Sequence, residues 1–164
     1  MDYQVDNICN YINSEEKFLK IADEIYLLTE QLDKNYPGYK NWFYNKQIKG
    51  CVDLNRNIIF VRNDESKIIG ISSLKKTSEE KKICTLFILE PYRNRGIKNL
   101  LLKESFLYLE TEKPLITISE ENLNTFQKTI EEYNWELKET VEDIYKKGSR
   151  EFCFNGSLLK IKKK

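Results

Sequence analysis

Residues 83–102, ICTLFILEPYRNRGIKNLLL, decide how this chain is read. The apolar run over residues 83–89 reads as a buried strand. It ends in a polar turn, residues 90–95, and Gly96 then opens a strongly apolar helix. A strand that passes through such a turn into a helix N-terminus builds an anion site. The first N–H groups of the helix have no intrahelical partner, and the helix dipole favours negative charge there. Arg93, Arg95 and Lys98 crowd the same spot and suit a phosphate group.

Outward from this stretch, the periodicity predicts a mixed α/β domain spanning residues 1–164. Residues 3–9 read as a first strand. Asn13 or Ser14 caps a helix that carries Phe18, Ile21, Ile25, Leu28 and Leu32 on one stripe. Pro37-Gly38 breaks the chain, and residues 39–49 read as a second helix with Trp42 and Phe43. Strands over 58–62 and 68–74 flank an Asn63-Asp64-Glu65-Ser66 turn, and 82–89 follows as a third. The helix at 96–109 leads to a short strand, 115–119. A helix bearing Leu123, Phe126, Ile130 and Tyr133 comes next, then a closing hairpin of 135–141 and 151–155. The expected order is βααβββαβαββ.

Composition excludes several classes. Hydrophobic residues make up 40% of the chain, which argues against disorder. A net charge of +1 provides no broad basic field for nucleic acid. The basic end at 160–164 reads as a solvated terminus. Cys9, Cys51, Cys84 and Cys153 lack C-x-x-C spacing, so neither a disulfide framework nor a metal site is expected. No apolar run reaches membrane-spanning length and no signal peptide is evident, so a soluble cytoplasmic protein is expected. The chain has no histidine. That removes Ser-His and Cys-His pairs and leaves acid–base work to Asp, Glu, Tyr, Cys, Lys or water.

Arg93-Asn94-Arg95-Gly96-Ile97-Lys98, with the L-F-I-L-E-P-Y-R approach before it, resembles the pyrophosphate loop of the GNAT superfamily of N-acetyltransferases. That loop follows the pattern Gln/Arg-x-x-Gly-x-Gly/Ala. Only the last position departs, since Lys98 stands where Gly or Ala is expected. The resemblance implies a GNAT-like fold, a central mixed, mostly antiparallel sheet splayed between its fourth and fifth strands and flanked by helices. It implies acetyl-CoA as cosubstrate and direct transfer of the acetyl group to a primary amine of a small molecule or peptide. Backbone groups at Phe87, Ile88 and Leu89 would bind the pantetheine arm, and an N–H near Ile88 would polarise the thioester carbonyl. In the loop after Arg93, the N–H groups of Asn94, Arg95, Gly96, Ile97, Lys98 and Asn99 would hold the pyrophosphate. Asn122 or Asn124 would contact the pantetheine arm.

The family's usual acid is a tyrosine four residues before a Gly-Phe pair. Here Asn134-Trp135 replaces the pair, and Ile130 fills the tyrosine position. Tyr133 and Tyr145 are the remaining acids, and Glu90 and Glu121 are carboxylates near the active strands; the default reading of each is a packing or surface side chain. Cys84 lies upstream of Ile88 on the same strand face, and a buried thiol is inert unless its pKa is lowered. Tyr36 and Tyr39 are expected to border an acceptor groove, whereas Trp42 and Phe43 attach the second helix to the sheet. The alternative to an enzyme is a non-catalytic acyl-CoA-binding or interaction module on the same fold. An acetyltransferase for charged tRNA would need a basic face that this charge balance lacks. Monomer and homodimer are both compatible with the sequence.

Overall fold

The computed structural model describes residues 2–158, and the basic end at 160–164 lies outside them. The described strands form one sheet in the order β1-β2-β3-β4-β5-β7-β6. These are β1 (Gln4–Asn7), β2 (Arg56–Arg62), β3 (Ile68–Lys76), β4 (Lys81–Ile88), β5 (Leu115–Ser119), β6 (Leu137–Glu142) and β7 (Arg150–Phe154). Every pairing is antiparallel except that of β4 with β5. The longer helices are α1 (Glu15–Thr29) and α4 (Ile97–Leu109), with shorter α2 (Tyr39–Trp42), α3 (Lys49–Val52) and α5 (Gln127–Glu132). This is the order the periodicity predicts. Among the described residues no helix is long and apolar enough to cross a membrane.

Strand alternation sorts the apolar residues into two cores. Ile58 and Phe60 of β2 face α1, where they join Phe18, Ile21, Ile25 and Phe43. Ile59 and Val61 face α4, where they join Leu101, Leu102 and Phe106. The sheet is therefore covered on both faces, and α1 and α4 lie on opposite sides of it.

The second helical region differs from the expected regular helix. Phe43–Ile48 winds as a π-helix between α2 and α3, and the wider turn buries Phe43, Gln47 and Ile48 together. Gln47 donates to the Asn57 carbonyl at 2.9 Å and accepts from Arg56 at 2.8 Å. Tyr39 needs correction. It is 5% exposed, its hydroxyl donates to Thr29 Oγ1 at 2.9 Å, and its ring stacks on Tyr26. It belongs to the α1-side core and lines no groove.

Gly70 on β3 sets how closely α4 approaches the sheet. A Cβ there would sit 3.3 Å from Ile97 Cγ2 and 3.4 Å from Leu101 Cδ1. Farther along α4, the buried hydroxyls of Ser105 and Ser72 meet at 2.8 Å. Gly70→Val drives two methyl groups into the first turn of α4. Over-packing of this kind costs about 1–3 kcal/mol. We expect a lower urea midpoint with an unchanged slope; an unchanged midpoint would show that α4 is free to move outward.

Candidate active site

Strands β4 and β5 pair at Lys82↔Leu115 and Ile83↔Ile116, and the ladder stops there. Cys84 is the cause. Leu74 pairs with Ile83 and Ser73 with Thr85, which leaves Cys84 as an extra residue in β4. A bulge bends its strand and adds twist, and this one turns β4 away from β5. The strands run on separately to Ile88 and Ser119, with a wedge between them. The bulge also corrects the expected face of Cys84. Its sulfur accepts from Arg56 at 3.6 Å, and that guanidinium stacks on Trp42 on the α1 side. Ile88 packs on the α4 side.

The backbone of β4 is divided between its two edges. The Leu89 N–H donates to the Ile69 carbonyl of β3 at 2.8 Å. In an antiparallel ladder polar groups alternate in direction, so Phe87 and Leu89 serve β3 while Ile88 faces the wedge. The Ile88 carbonyl is taken by Arg93 Nε at 2.9 Å. Its N–H is the strand donor aimed into the wedge.

Above the wedge, a tight turn at Glu90–Tyr92 leads into the loop. The Tyr92 hydroxyl accepts from Asn63 at 2.9 Å, which anchors the turn to the β2–β3 connection. Asn94 has φ +63° and Gly96 φ +84°. Left-handed residues in such a loop gather successive N–H groups into an anion-binding nest. Gly96 is required for its φ and not for space, since a Cβ there would meet nothing within 4 Å. Among the described residues no side chain caps α4, so the N–H groups of Ile97, Lys98 and Asn99 are open to an anion. Arg95 lies over the Tyr92 ring, 5.7 Å from its centroid.

A fold with these features has solved counterparts. A protein assigned to the GNAT family of acetyltransferases, from Desulfovibrio desulfuricans, matches with a TM-score of 0.67 at 10% identity. The match covers 93% of this chain and 97% of that one. A GNAT-family acetyltransferase from Bacillus cereus matches with a TM-score of 0.63 at 19% identity, over 94% and 96% of the two chains. The chain has the GNAT fold. A third GNAT-family acetyltransferase, from Elizabethkingia anophelis and solved with acetyl-CoA bound, matches with a TM-score of 0.52 at 14% identity. That match covers 66% of this chain and 80% of its counterpart. No family model matches the sequence, and no curated protein matches it significantly.

Within this GNAT fold, Lys98 turns sideways. Its ammonium donates to the Thr125 carbonyl at 2.8 Å and lies 5.3 Å from the Phe126 ring centroid. Burial there, and then the nearby Lys128, hold its pKa below the ordinary lysine value. The side chain ties the start of α4 to the 3-10 segment Glu120–Phe126 that follows β5. Asn122, on that segment, donates to Ser119 Oγ at 3.0 Å, and Asn124 is exposed beside it.

The residues expected to handle protons are scattered. Tyr133 packs edge-on against Phe106 at 4.9 Å on the α4 side. Glu90 is exposed on the turn above β4. Tyr145, from the β6–β7 connection, meets Tyr36 edge-on at 5.4 Å.

Beside that tyrosine pair lies a residue the sequence analysis passed over. Glu151 of β7 pairs with Ser119 of β5 and Val141 of β6. It is 2% exposed, Tyr36 lies beside its carboxyl, and Oε2 has no partner among the described residues. Burial pushes its pKa up to about 7; the Tyr36 hydroxyl opposes the rise and the Glu121 charge adds to it. The signal was present in the run Glu151-Phe152-Cys153-Phe154. Period two puts this carboxylate on the face of a buried cysteine.

A carboxyl whose pKa rises on folding contributes stability that is full below its unfolded value of 4.5 and lost as pH climbs through about 7. Glu151→Gln carries no such loss. Relative to wild type, the variant should gain about 1–3 kcal/mol between pH 4 and pH 8.5. Urea unfolding at the two pH values measures this, and an equal difference at both would mean an unperturbed carboxyl.

Proposed function

We propose that this chain is a single-domain, acetyl-CoA-dependent N-acetyltransferase that acts on a primary amine of a small molecule or peptide by direct attack. The wedge carries this reading: a parallel ladder that stops at Ile83↔Ile116, directly below an uncapped, glycine-turned helix N-terminus.

The donor set suits an acyl-CoA. A diphosphate needs N–H groups that are fixed before it arrives, and the loop from Asn94 to Asn99 offers them beside Arg93 and Arg95. Lys98 contributes its backbone N–H, because its ammonium is engaged with Thr125. The extended pantetheine arm would meet the wedge edge of β4 on one side and Asn122 and Asn124 on the other. A neighbour of the same fold that holds acetyl-CoA supports acetyl-CoA as the ligand.

Catalysis on this reading is mainly positional. The amine nitrogen attacks the thioester carbon while the Ile88 N–H stabilises the charge that develops on oxygen. The C–S bond then breaks and CoA departs as a thiol. Tyr145, beside Tyr36 on the α1 side, is better placed than Tyr133 to face an acceptor.

Calorimetric titration with acetyl-CoA tests the reading. Wild type should bind saturably. Gly96→Glu puts a negative charge in the nest and a Cβ at φ +84°, and should weaken binding at least about 10-fold, equivalent to 1.4 kcal/mol. Lys98→Ala should bind within a few-fold of wild type. No saturable binding by wild type, or equal affinity in Gly96→Glu, would remove the assignment.

A further inference from the structure

We propose that Glu151, framed by Tyr36 and Tyr145, receives the acceptor as an ammonium ion and takes its first proton, so that the substrate is a cationic primary amine. This rests on the acetyltransferase reading and extends it to the acceptor.

The placement comes from the sheet. Ile83 pairs with Ile116, and with Cys84 bulged out, Phe87 and Ile88 come level with the end of β5. Glu151 pairs with Ser119 at that same end. The carboxylate therefore lies one strand beyond the wedge, at the height of the N–H that would hold the thioester carbonyl. Its side chain shares the face of Cys153, the side on which Tyr145 packs. Tyr36 reaches it from the connection between α1 and α2.

The charges around this carboxylate leave a cation to be supplied. Tyr36 faces it from the α1–α2 connection and Glu121 from the segment after β5; Tyr145 lies beside Tyr36, and Lys82 of β4 lies toward Tyr145 and Cys153 but forms no ion pair with Glu151. Neighbouring Glu120 is matched by Arg150 at 2.6 Å. Among the described residues no lysine or arginine forms an ion pair with Glu151, and Oε2 is buried without a partner. A buried carboxylate is costly unless paired. An ammonium supplies both the charge and the missing donor.

The protons balance. Glu151 accepts one ammonium proton and later passes it to solvent. The freed nitrogen lone pair forms the C–N bond as the C–S bond breaks, and the second proton ends on the CoA thiolate. The products are the amide, CoA thiol and one released proton.

The probes are 1,4-diaminobutane and aniline, the latter uncharged at neutral pH, with CoA release followed by a thiol reagent. Wild type should acetylate the diamine and not aniline, with a kcat/KM limb near pH 7. Glu151→Gln should lose that limb and at least about 100-fold in kcat/KM, with unchanged acetyl-CoA affinity by calorimetry. Tyr36→Phe removes the hydroxyl whose influence lowers the Glu151 pKa, so its limb should move to higher pH. This variant decides the matter should Glu151→Gln fail to fold. Intact acetyl-CoA binding with no turnover of the diamine, with aniline preferred, or with an unmoved limb in these variants would overturn the role of Glu151 alone. Absence of acetyl-CoA binding by wild type would overturn the acetyltransferase reading and this proposal with it.

Discussion

A parallel ladder that kept pairing past Ile83 would leave no space between β4 and β5. The extra residue at Cys84 ends that ladder, and the arrangement of the site follows from it. Opening a sheet from within exposes backbone polar groups that a continuous ladder would satisfy. The protein covers one of them, since Arg93 reaches back to the Ile88 carbonyl. The Ile88 N–H is left as a directed donor. One inserted residue thus creates the cleft, orients its polar edge, and moves the Cys84 thiol to the opposite face, beside Arg56.

The candidate anion loop depends on how α4 is seated. Gly70 allows the first turn of α4 to lie against β3, and the Ser72–Ser105 contact holds the helix farther along. Asn94 and Gly96 are both left-handed in the loop that enters this helix. Lys98, which breaks the family pattern, is accommodated because its side chain leaves the loop for the Thr125 carbonyl. The change of residue adds a tether between the two walls of the wedge.

The aromatic residues on the α1 side are sorted by burial. The aromatic stretch at 36–44 divides: Tyr39 and Phe43 enter the core with Tyr26, and Trp42 carries Arg56. Tyr36 crosses toward β7 and meets Tyr145 and Glu151. Sequence alone had put Tyr36 and Tyr39 in the same role. The π-helical turn at 43–48 separates the aromatic residues around it in a way no regular helical period foretells.

The order of elements was legible from residue patterns, because helix and strand periods are local. Residues 115–119 read as a strand and are one, and the apolar residues of 97–109 read as a buried helix and are one. The glycine-turned entry into α4 was legible for the same reason, since Gly96 acts within one turn. Three features were decided only in the tertiary structure. The bulge at Cys84 exists through its register with β3, Tyr39 was drawn inward by Tyr26 and Thr29, and Glu151 gained its character from a buried position beside Tyr36, distant in sequence. Local period states which face a residue prefers. Register and burial depend on partners elsewhere in the chain, and they decide which of those faces becomes a site.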